Sequence, residues 1–159
     1  MLQVTVVVVG SLKEQYLRDA AAEYEKRLNG FCKLTVVQIK ESRLSDDPGE
    51  KEIAAALESE GKQILANLPP KSYKVALCVE GRQLSSPALA EKLGEIGRTH
   101  GSVAFVIGSS YGLSDEVKRQ CDFRWSVSEL TFPHQLMRVI LLETVYRSLS
   151  ILQGGKYHK

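Results

Sequence analysis

The first ten residues contain the feature that most limits how this chain can fold. Residues 4–9 read VTVVVV, a β-branched run in which one threonine is the only polar side chain. A strand buried on one face alternates apolar and polar residues, whereas a continuous apolar run is typical of a strand covered on both faces. Such strands are characteristic of parallel sheets, because crossover helices cover the sheet faces. The run therefore predicts a doubly buried strand and favours an α/β domain.

The rest of the chain alternates between strand and helix patterns. Further strands are predicted at residues 34–39, 75–79, 103–107 and 123–127. Helices are predicted at residues 12–28, 50–68, 86 to about 96, a short stretch from 114, and 133–152, with Ser86 as the cap and Pro87 as the first residue of the third helix. Five strands alternating with helices predict a mostly parallel sheet with helices on both faces, in a single domain spanning residues 1–159.

Composition excludes several classes of protein. Hydrophobic residues make up 43% and charged residues 25%, as in ordinary globular chains. No apolar run approaches the ~18 residues of a membrane span, and the N-terminus lacks the features of a signal peptide. Three cysteines without C-x-x-C spacing favour a reducing cytoplasm and argue against disulfides or a zinc site. Because the formal net charge is only +2, a nucleic-acid partner would need a local basic patch.

A glycine-rich loop follows the fourth predicted strand and admits two interpretations. Residues 108–112 read GSSYG, which fits the G-x-S-x-G pattern of a nucleophile elbow centred on Ser110. Acids and histidines downstream allow a hydrolase triad, but such hydrolases are usually much longer and no HGGG-like oxyanion loop precedes Ser110. A glycine cradle for an uncharged or zwitterionic nucleoside fits better, since parallel sheets bind ligands at the carboxyl ends of their strands. A small α/β hydrolase is the alternative.

The predicted last helix is apolar nearly all the way round from Leu136 to Leu142, with Arg138 inside the run. Such a helix needs burial on two sides, either within one core or against a second subunit. A half-buried arginine usually has an acidic partner or an anionic ligand. Glu143 and Arg147 are spaced to pair along the helix.

The chain ends in GGKYHK. The two glycines release it from the helix, and the last four residues combine two lysines, an aromatic ring and a histidine. A disordered solvated end is the simpler interpretation, as for most termini. The functional interpretation is contact with RNA, with lysine on phosphate and tyrosine on a base.

Long segments of the chain resemble one known family. The most specific are VIGSSYGLS and LTFPHQLMRVILLETVYRSLSILQGGKYHK, and the N-terminal VVVVGSLKEQYLRDAAAEYEKRL fits as well. They are similar to the RlmH family, SPOUT-class methyltransferases that methylate N3 of a pseudouridine in 23S rRNA. The resemblance covers the whole chain and implies a homodimer, a C-terminal trefoil knot, S-adenosylmethionine as methyl donor, and 23S rRNA within the 70S ribosome as substrate. Connection rules by themselves argue against a knot. A non-catalytic ribosome-associated factor with the same fold is a second alternative.

The resemblance also assigns roles to individual residues. Cofactor-binding residues would be Leu77, Gly108, Val127, Ser128, Glu129, Leu130, Thr131 and Phe132. Methyl transfer is an in-line displacement that needs alignment of donor and acceptor but no protein nucleophile and no metal, which makes Ser110 a turn residue. His158 is the candidate base for the N3 proton, and Arg138 is the candidate ligand of the target phosphate or the developing imidate. Tyr157, Lys156 and Lys159 would bind the RNA. The chain departs from the family pattern at Ser109 and Cys78, where the family often has glycine and an acid.

Overall fold

The computed structural model describes all residues, Met1–Lys159, and contains one five-stranded sheet. The strands are β1 Leu2–Val9, β2 Cys32–Ile39, β3 Tyr73–Arg82, β4 Ser102–Ile107 and β5 Phe123–Trp125. The helices are α1 Gln15–Leu28, α2 Glu50–Asn67, α3 Ser86–Thr99, α4 Asp115–Gln120 and α5 His134–Leu152. The strand order is β2-β1-β4-β3-β5, and all neighbours are parallel. The predicted α/β class and its five strands are confirmed, and the sheet is wholly rather than mostly parallel.

Strand β1 lies in the interior of the sheet and is buried on both faces. Val6 and Val8 belong to the core formed with α1, α3 and α5. Val7 and Val9 belong to the core formed with α2 and α4 on the other face. The alternation of side chains along a strand sends successive valines to opposite cores. The N-terminal valine run is therefore buried on both faces, as its pattern predicts, and helices cover both faces of the sheet.

Helix α5 contacts α1 and α3 on one face of the sheet. Leu141, Leu142 and Val145 are buried in that core. Most of the apolar surface of the helix is thus covered by the chain itself, which accounts for much of its all-round apolarity without a second subunit. Glu143 and Arg147 form the predicted pair, with Arg147 Nη2 at 2.7 Å from Glu143 Oε1.

Several element boundaries differ from the sequence prediction: β5 ends at Trp125 rather than residue 127, α3 continues to Thr99, and the starts of α1 and α3 are shifted. The cap of α3 is Ser85, whose Oγ accepts a hydrogen bond from the Ala88 amide at 3.2 Å, and Pro87 is the second helical residue. Helix α1 begins at Gln15 rather than Leu12. Leu12 packs into the core from the loop that precedes the helix, so its apolar character fits the helical spacing without belonging to the helix.

No helix combines the length and apolarity needed to cross a membrane. The trefoil knot implied by the family resemblance concerns the threading of the chain, which strand order does not establish. The knot stays a prediction.

Candidate cofactor site

A cavity of about 750 Å³ opens at the carboxyl ends of β3, β4 and β5. Its lining comprises residues 77–80, 107–113, 125–128, 130–134 and Met137. No lysine or arginine lines it, and its one acidic residue, Glu80, forms an ion pair with Lys118 that lowers the pKa of the carboxyl. The volume is that of a typical small-molecule site. We call this the cofactor cavity, because its size and low charge suit a nucleoside-sized ligand.

The loop after β4 is a tight turn that has no room for a side chain at Gly108. A Cβ at Gly108 would lie 2.2 Å from the Gly112 carbonyl oxygen. Gly112 has φ +88° and donates its amide to the Ser109 carbonyl at 2.9 Å. The Ser109 hydroxyl, in turn, accepts the Tyr111 amide at 3.3 Å. The turn therefore holds itself together, and at Gly108 and Gly112 it presents only backbone to the cavity.

The position of Ser110 does not support a nucleophile elbow. No residue other than glycine has a positive φ, so the serine is not on a strained turn of the kind that exposes a catalytic hydroxyl. Helix α4 begins only at Asp115, whereas an elbow leads directly into its helix. The Ser110 side chain is exposed and makes no hydrogen bond to a histidine or a carboxylate. The loop has the geometry of a cradle.

The loop between β5 and α5 also lines the cavity, in addition to the end of β3 and the loop after β4. Ser126 fixes its beginning, donating its amide to the Arg82 carbonyl at 3.0 Å and its hydroxyl to the Ser128 carbonyl at 3.0 Å. The Ser128 hydroxyl accepts the Leu130 amide at 3.0 Å. These bonds shape the loop from within and leave it ordered before a ligand arrives.

Strands β3 and β5 approach each other closely beside this loop. A Cβ on Gly81 would lie 2.7 Å from the backbone carbon of Trp125. Only glycine fits at such a distance without a shift of one backbone. Gly81 therefore allows β5 to bring the loop to the ends of β3 and β4.

Seven of the eight predicted cofactor residues line the cavity together. They are Leu77, Gly108, Val127, Ser128, Leu130, Thr131 and Phe132. The eighth, Glu129, is exposed and does not line it. The two positions that depart from the family pattern, Cys78 and Ser109, lie in the wall. Burial, followed by the nearby Glu80 carboxylate, raises the pKa of the Cys78 thiol. The binding roles of these residues stay predictions.

The residues of the lining to which the sequence analysis assigned no role include Trp125, His134 and Met137. Trp125, the only tryptophan, is 3% exposed, and its Nε1 has no hydrogen-bond partner. A buried donor without a partner is costly, so a ligand that accepts this N–H would be favoured. The sequence feature that could have identified them is their closeness along the chain, since all three lie within five residues of the predicted 127–132 loop.

The C-terminal tail, residues 156–159, packs against the C-terminal half of α5. Tyr157 donates its hydroxyl to Glu143 Oε1 at 3.1 Å, and its ring lies 4.8 Å from the ring of Tyr146. The Arg147 guanidinium stacks 4.6 Å from the Tyr157 ring, and its Nη1 lies 3.1 Å from His158 Nδ1. Desolvation and hydrogen bonds to Tyr24 and Glu143 raise the pKa of Tyr157. The tail is thus docked through its tyrosine, while Lys156 and Lys159 are exposed.

The tail and the cofactor cavity lie at opposite ends of α5. His134, in the first turn of the helix, lines the cavity, and Arg147 follows thirteen residues later, ~20 Å along the axis. One chain therefore does not bring His158 to its own cavity in this conformation. Arg138 does not line the cavity either. Its Nη1 donates to Gln38 Oε1 at 2.8 Å, and burial lowers the pKa of the guanidinium.

No group of three or more His, Cys, Asp or Glu side chains is arranged to hold a metal ion. Most of the predicted site residues thus lie either in the cofactor cavity or in the distant tail, whereas Arg138 and Glu129 lie in neither.

Comparisons with known proteins bear on the family to which the chain belongs. A family model described as "Predicted SPOUT methyltransferase" matches residues 2–158. The chain is 43% identical over 159 residues to the ribosomal RNA large subunit methyltransferase H of Clostridium novyi (strain NT), covering 99% of this chain and 100% of the relative. It is 42% identical, with the same coverage, to the protein of the same name from Clostridioides difficile (strain 630).

A solved structure shares the fold. It is that of a probable methylase family protein from Haemophilus influenzae Rd KW20, with a TM-score of 0.56, covering 100% of this chain and 72% of that one. At 15% identity this likeness concerns the fold alone. The full-length family match and the curated relatives go further, and by them the chain belongs to the SPOUT methyltransferase family.

Proposed function

We propose that this protein transfers a methyl group from S-adenosylmethionine to N3 of a pseudouridine in 23S rRNA, on the assembled 70S ribosome. The observation that carries the proposal is the cofactor cavity, which is backed by Gly108 and has no basic residue in its lining. S-adenosylmethionine carries a sulfonium and an ammonium against one carboxylate, so a cavity without cations suits it. Relatives named as methyltransferases of large-subunit rRNA support the substrate.

The residues of the cavity would bind and orient the donor. The turn at Gly108 lets the nucleoside lie against backbone. The backbone groups of the 127–132 loop would meet the adenine edge, apart from the Leu130 amide and the Ser128 carbonyl, which bond within the loop. Leu77 and Met137 supply apolar contacts. When bound, the cofactor supplies an electrophilic methyl group for an in-line displacement. The contribution of the protein is then to align donor and acceptor and to exclude water.

The acceptor nitrogen must lose its proton, for which His158 is the candidate base. Arginine only donates hydrogen bonds, so the contact with Arg147 occupies the Nδ1 lone pair of a neutral His158. Activity as a base at Nδ1 therefore requires the tail to leave this docked position. Because the tail lies ~20 Å from its own cavity along α5, we propose that it serves the cavity of a second copy.

The surface around the cavity supports this homodimer. Large apolar side chains are exposed at its rim: Val79, Tyr111 and Leu130 line the cavity, and Leu136 follows on α5. Exposed apolar groups of this kind mark interaction surfaces. A second copy seated here would cover them and place its tail near the methyl donor.

The test is methylation of 70S ribosomes with methyl-labelled S-adenosylmethionine, followed by mapping of the labelled nucleotide. The expected result is label on one pseudouridine of 23S rRNA that is lost with Gly108→Ala. Cofactor binding without any label would favour the non-catalytic ribosome-associated factor. Covalent labelling of Ser110 by a serine-reactive phosphonate would instead favour the hydrolase.

A further inference from the structure

A second cavity, of about 520 Å³, lies at the carboxyl ends of β1 and β2. We propose that it binds phosphates of the RNA backbone next to the target nucleotide, and we call it the phosphate cavity. Its lining includes Lys13, Lys40 and Arg43. This inference rests on the proposed function, because it concerns the same substrate.

The charge of the lining is the first argument. Three cations and one carboxylate, Glu41, give it a formal charge of +2, as much as the whole chain carries. Lys13, Lys40 and Arg43 form no ion pair with any carboxylate within 4.0 Å. The lining therefore provides a local basic patch of the kind that a nearly neutral chain needs in order to bind nucleic acid.

The second argument is position. The cofactor cavity has no lysine or arginine, so it offers no cation to the phosphates of a nucleotide whose base enters it. The two cavities share one edge of the sheet, since β1 pairs with β4 and Val8 lies opposite Ile107, which lines the cofactor cavity. His134 lines the cofactor cavity, and its Nε2 lies 3.7 Å from where a Cβ on Gly10 of the phosphate cavity would stand. The centres are about two strand spacings apart, ~10 Å, which a short stretch of RNA spans.

A buried cation behind the wall is the third argument. Gln38 lines the phosphate cavity and accepts a hydrogen bond from Arg138 Nη1 at 2.8 Å. Arg138 is 9% exposed, its Nε has no hydrogen-bond partner, and it forms no ion pair. A buried guanidinium without an ion-pair partner is unfavourable, and burial outweighs the charge of nearby Glu25, which by itself raises the pKa of Arg138. An anion in the cavity would lie close enough to offset part of that cost.

The wall is held in place from behind. The amide of Ser42 donates to Glu60 Oε2 at 2.9 Å, and the amide of Lys13 donates to Gln135 Oε1 at 2.9 Å. Glu60 is buried, its Oε2 accepts the Ser42 amide, and its Oε1 has no hydrogen-bond partner. The cations are thus mounted on loops fixed to α2 and α5, which lowers the entropy lost when phosphate binds.

The test compares two triple variants with the same loss of charge. One removes the cations of the cavity: Lys13→Ala, Lys40→Ala and Arg43→Ala. The matched control removes three exposed cations, without ion pairs, near the amino ends of the strands: Lys26→Ala, Lys33→Ala and Lys71→Ala. Initial rates of ribosome methylation are measured against ribosome concentration at several salt concentrations, with cofactor binding followed by Trp125 fluorescence.

The cavity variant should raise KM for ribosomes at least about tenfold and flatten the slope of log affinity against log salt by ~2, three contacts at ~0.7 each for single-stranded RNA. Cofactor affinity should be unchanged, and the control should behave like the parent. Equal KM values and salt slopes for the two variants would overturn the proposal.

Failure of the proposed function gives a different pattern, in which the parent protein itself leaves ribosomes unlabelled. Co-sedimentation with ribosomes at varied salt needs no chemistry and then decides the phosphate cavity alone. Thermal unfolding with millimolar inorganic phosphate tests for a free anion, which should raise the unfolding midpoint of the parent but not of the cavity variant. If that is observed while the two variants bind ribosomes with equal affinity, the cavity binds a free anion and its assignment to RNA is wrong.

Discussion

At position 108 the backbone passes so close to Gly112 that no Cβ fits. This contact helps to decide between the two interpretations of GSSYG, a nucleophile elbow and a glycine cradle. A nucleophile elbow needs a strained serine that leads into a helix, whereas Ser110 has ordinary backbone geometry and an exposed side chain. The glycines bring backbone up to the cavity, and the serine fills a turn. At the scale of single residues, the lack of a side chain at glycine thus shapes the site as much as the side chains of other residues do.

Replacing Gly108 with alanine should lower both stability and cofactor affinity. The added methyl group meets backbone rather than a movable side chain, so we expect ~1–3 kcal/mol off the free energy of unfolding and at least a tenfold weaker cofactor affinity. Thermal unfolding and Trp125 fluorescence measure the two effects. The matched control is Gly30→Ala, where nothing lies within 4 Å and stability should change by less than ~0.5 kcal/mol. Parent-like cofactor binding by the Gly108 variant would contradict the cradle.

Ser110→Ala should keep methyltransferase activity within about twofold. The loop is held by backbone bonds and by the Ser109 hydroxyl, so removal of the exposed Ser110 oxygen disturbs neither. The measurement is the rate of ribosome methylation at saturating cofactor. A loss near 10⁴-fold with an intact fold, as removal of a nucleophile gives, would return the hydroxyl to the chemistry.

Cys78 should report occupancy of the cavity through its alkylation rate. Its pKa is raised, so the reactive thiolate is scarce at neutral pH and iodoacetamide labelling should accelerate as pH rises toward that pKa. S-adenosylmethionine should slow the labelling, because Cys78 lines the cavity. Burial raises the pKa values of Cys32 and Cys121 to about 11, so both should react more slowly. Mass spectrometry of the parent and of Cys78→Ser separates the three thiols. Labelling of Cys78 at the same rate with and without cofactor would place the ligand elsewhere.

Helix α5 joins the two halves of the chemistry. Its first turn lines the cofactor cavity, its second turn buries Arg138 behind the phosphate cavity, and its C-terminal half holds the tail through Glu143 and Arg147. The docking of Tyr157 shows that the tail is ordered by specific contacts rather than a loose end. At the scale of elements, one helix therefore contributes to the lining of the cofactor cavity, to the support of the phosphate cavity and to the docking of the tail.

Deletion of residues 156–159 should abolish rRNA methylation and leave cofactor affinity within about twofold. The cavity lies at the other end of α5 and uses none of these residues. Trp125 fluorescence and ribosome methylation are measured on the same truncated protein. His158→Ala should lower kcat more than ribosome affinity, and the deficit should shrink as pH rises because the imide then ionises unaided. Full methylation by the truncated protein would show that the docked tail has no part in catalysis.

The monomer leaves two features unexplained at the scale of the whole molecule. Its cofactor cavity has an exposed apolar rim, and its tail lies ~20 Å along α5 from that cavity. A homodimer in which each tail serves the other cavity accounts for both. The buried apolar residues of α5, in contrast, are already covered by α1 and α3, so they give no support for a dimer.

Sedimentation at micromolar concentration should give a species of twice the 17.6 kDa chain mass. Leu136→Glu should weaken the dimer without unfolding the chain, since Leu136 is 36% exposed. Leu141, at 0% exposed, is the contrasting position, where glutamate should unfold the protein by burying an unpaired charge.

Mixing and refolding Gly108→Ala with the tail-deleted chain should restore part of the methylation if tails act on the partner. In the mixed dimer one intact cavity faces one intact tail. A 17.6 kDa species, or a mixture that stays inactive while dimeric, would contradict this arrangement.

The sequence by itself determined the elements and their class. The valine run and the alternation of patterns specify five strands with helices between them, because burial on two faces and amphipathic periodicity are local properties of a chain. It also predicted the edge of the sheet at which the cofactor cavity opens, since parallel strands bring their carboxyl ends to one edge, and the resemblance supplied the candidate residues of the loops. Helix starts were less certain: Leu12 satisfies helical spacing from a loop, and Ser85 competes with Ser86 as the cap.

Only the tertiary structure decided which of these residues meet. Residues 108 and 130 are distant in sequence, yet they line one cavity, whereas His158 and Arg138, on or just beyond the same helix as His134, do not reach it. The phosphate cavity had no motif at all, because Lys13 and Arg43 come from loops after different strands and become neighbours only when β1 pairs with β2. Local patterns encode elements, but distances between side chains on separate elements arise from strand order and helix packing, which no short stretch of sequence contains.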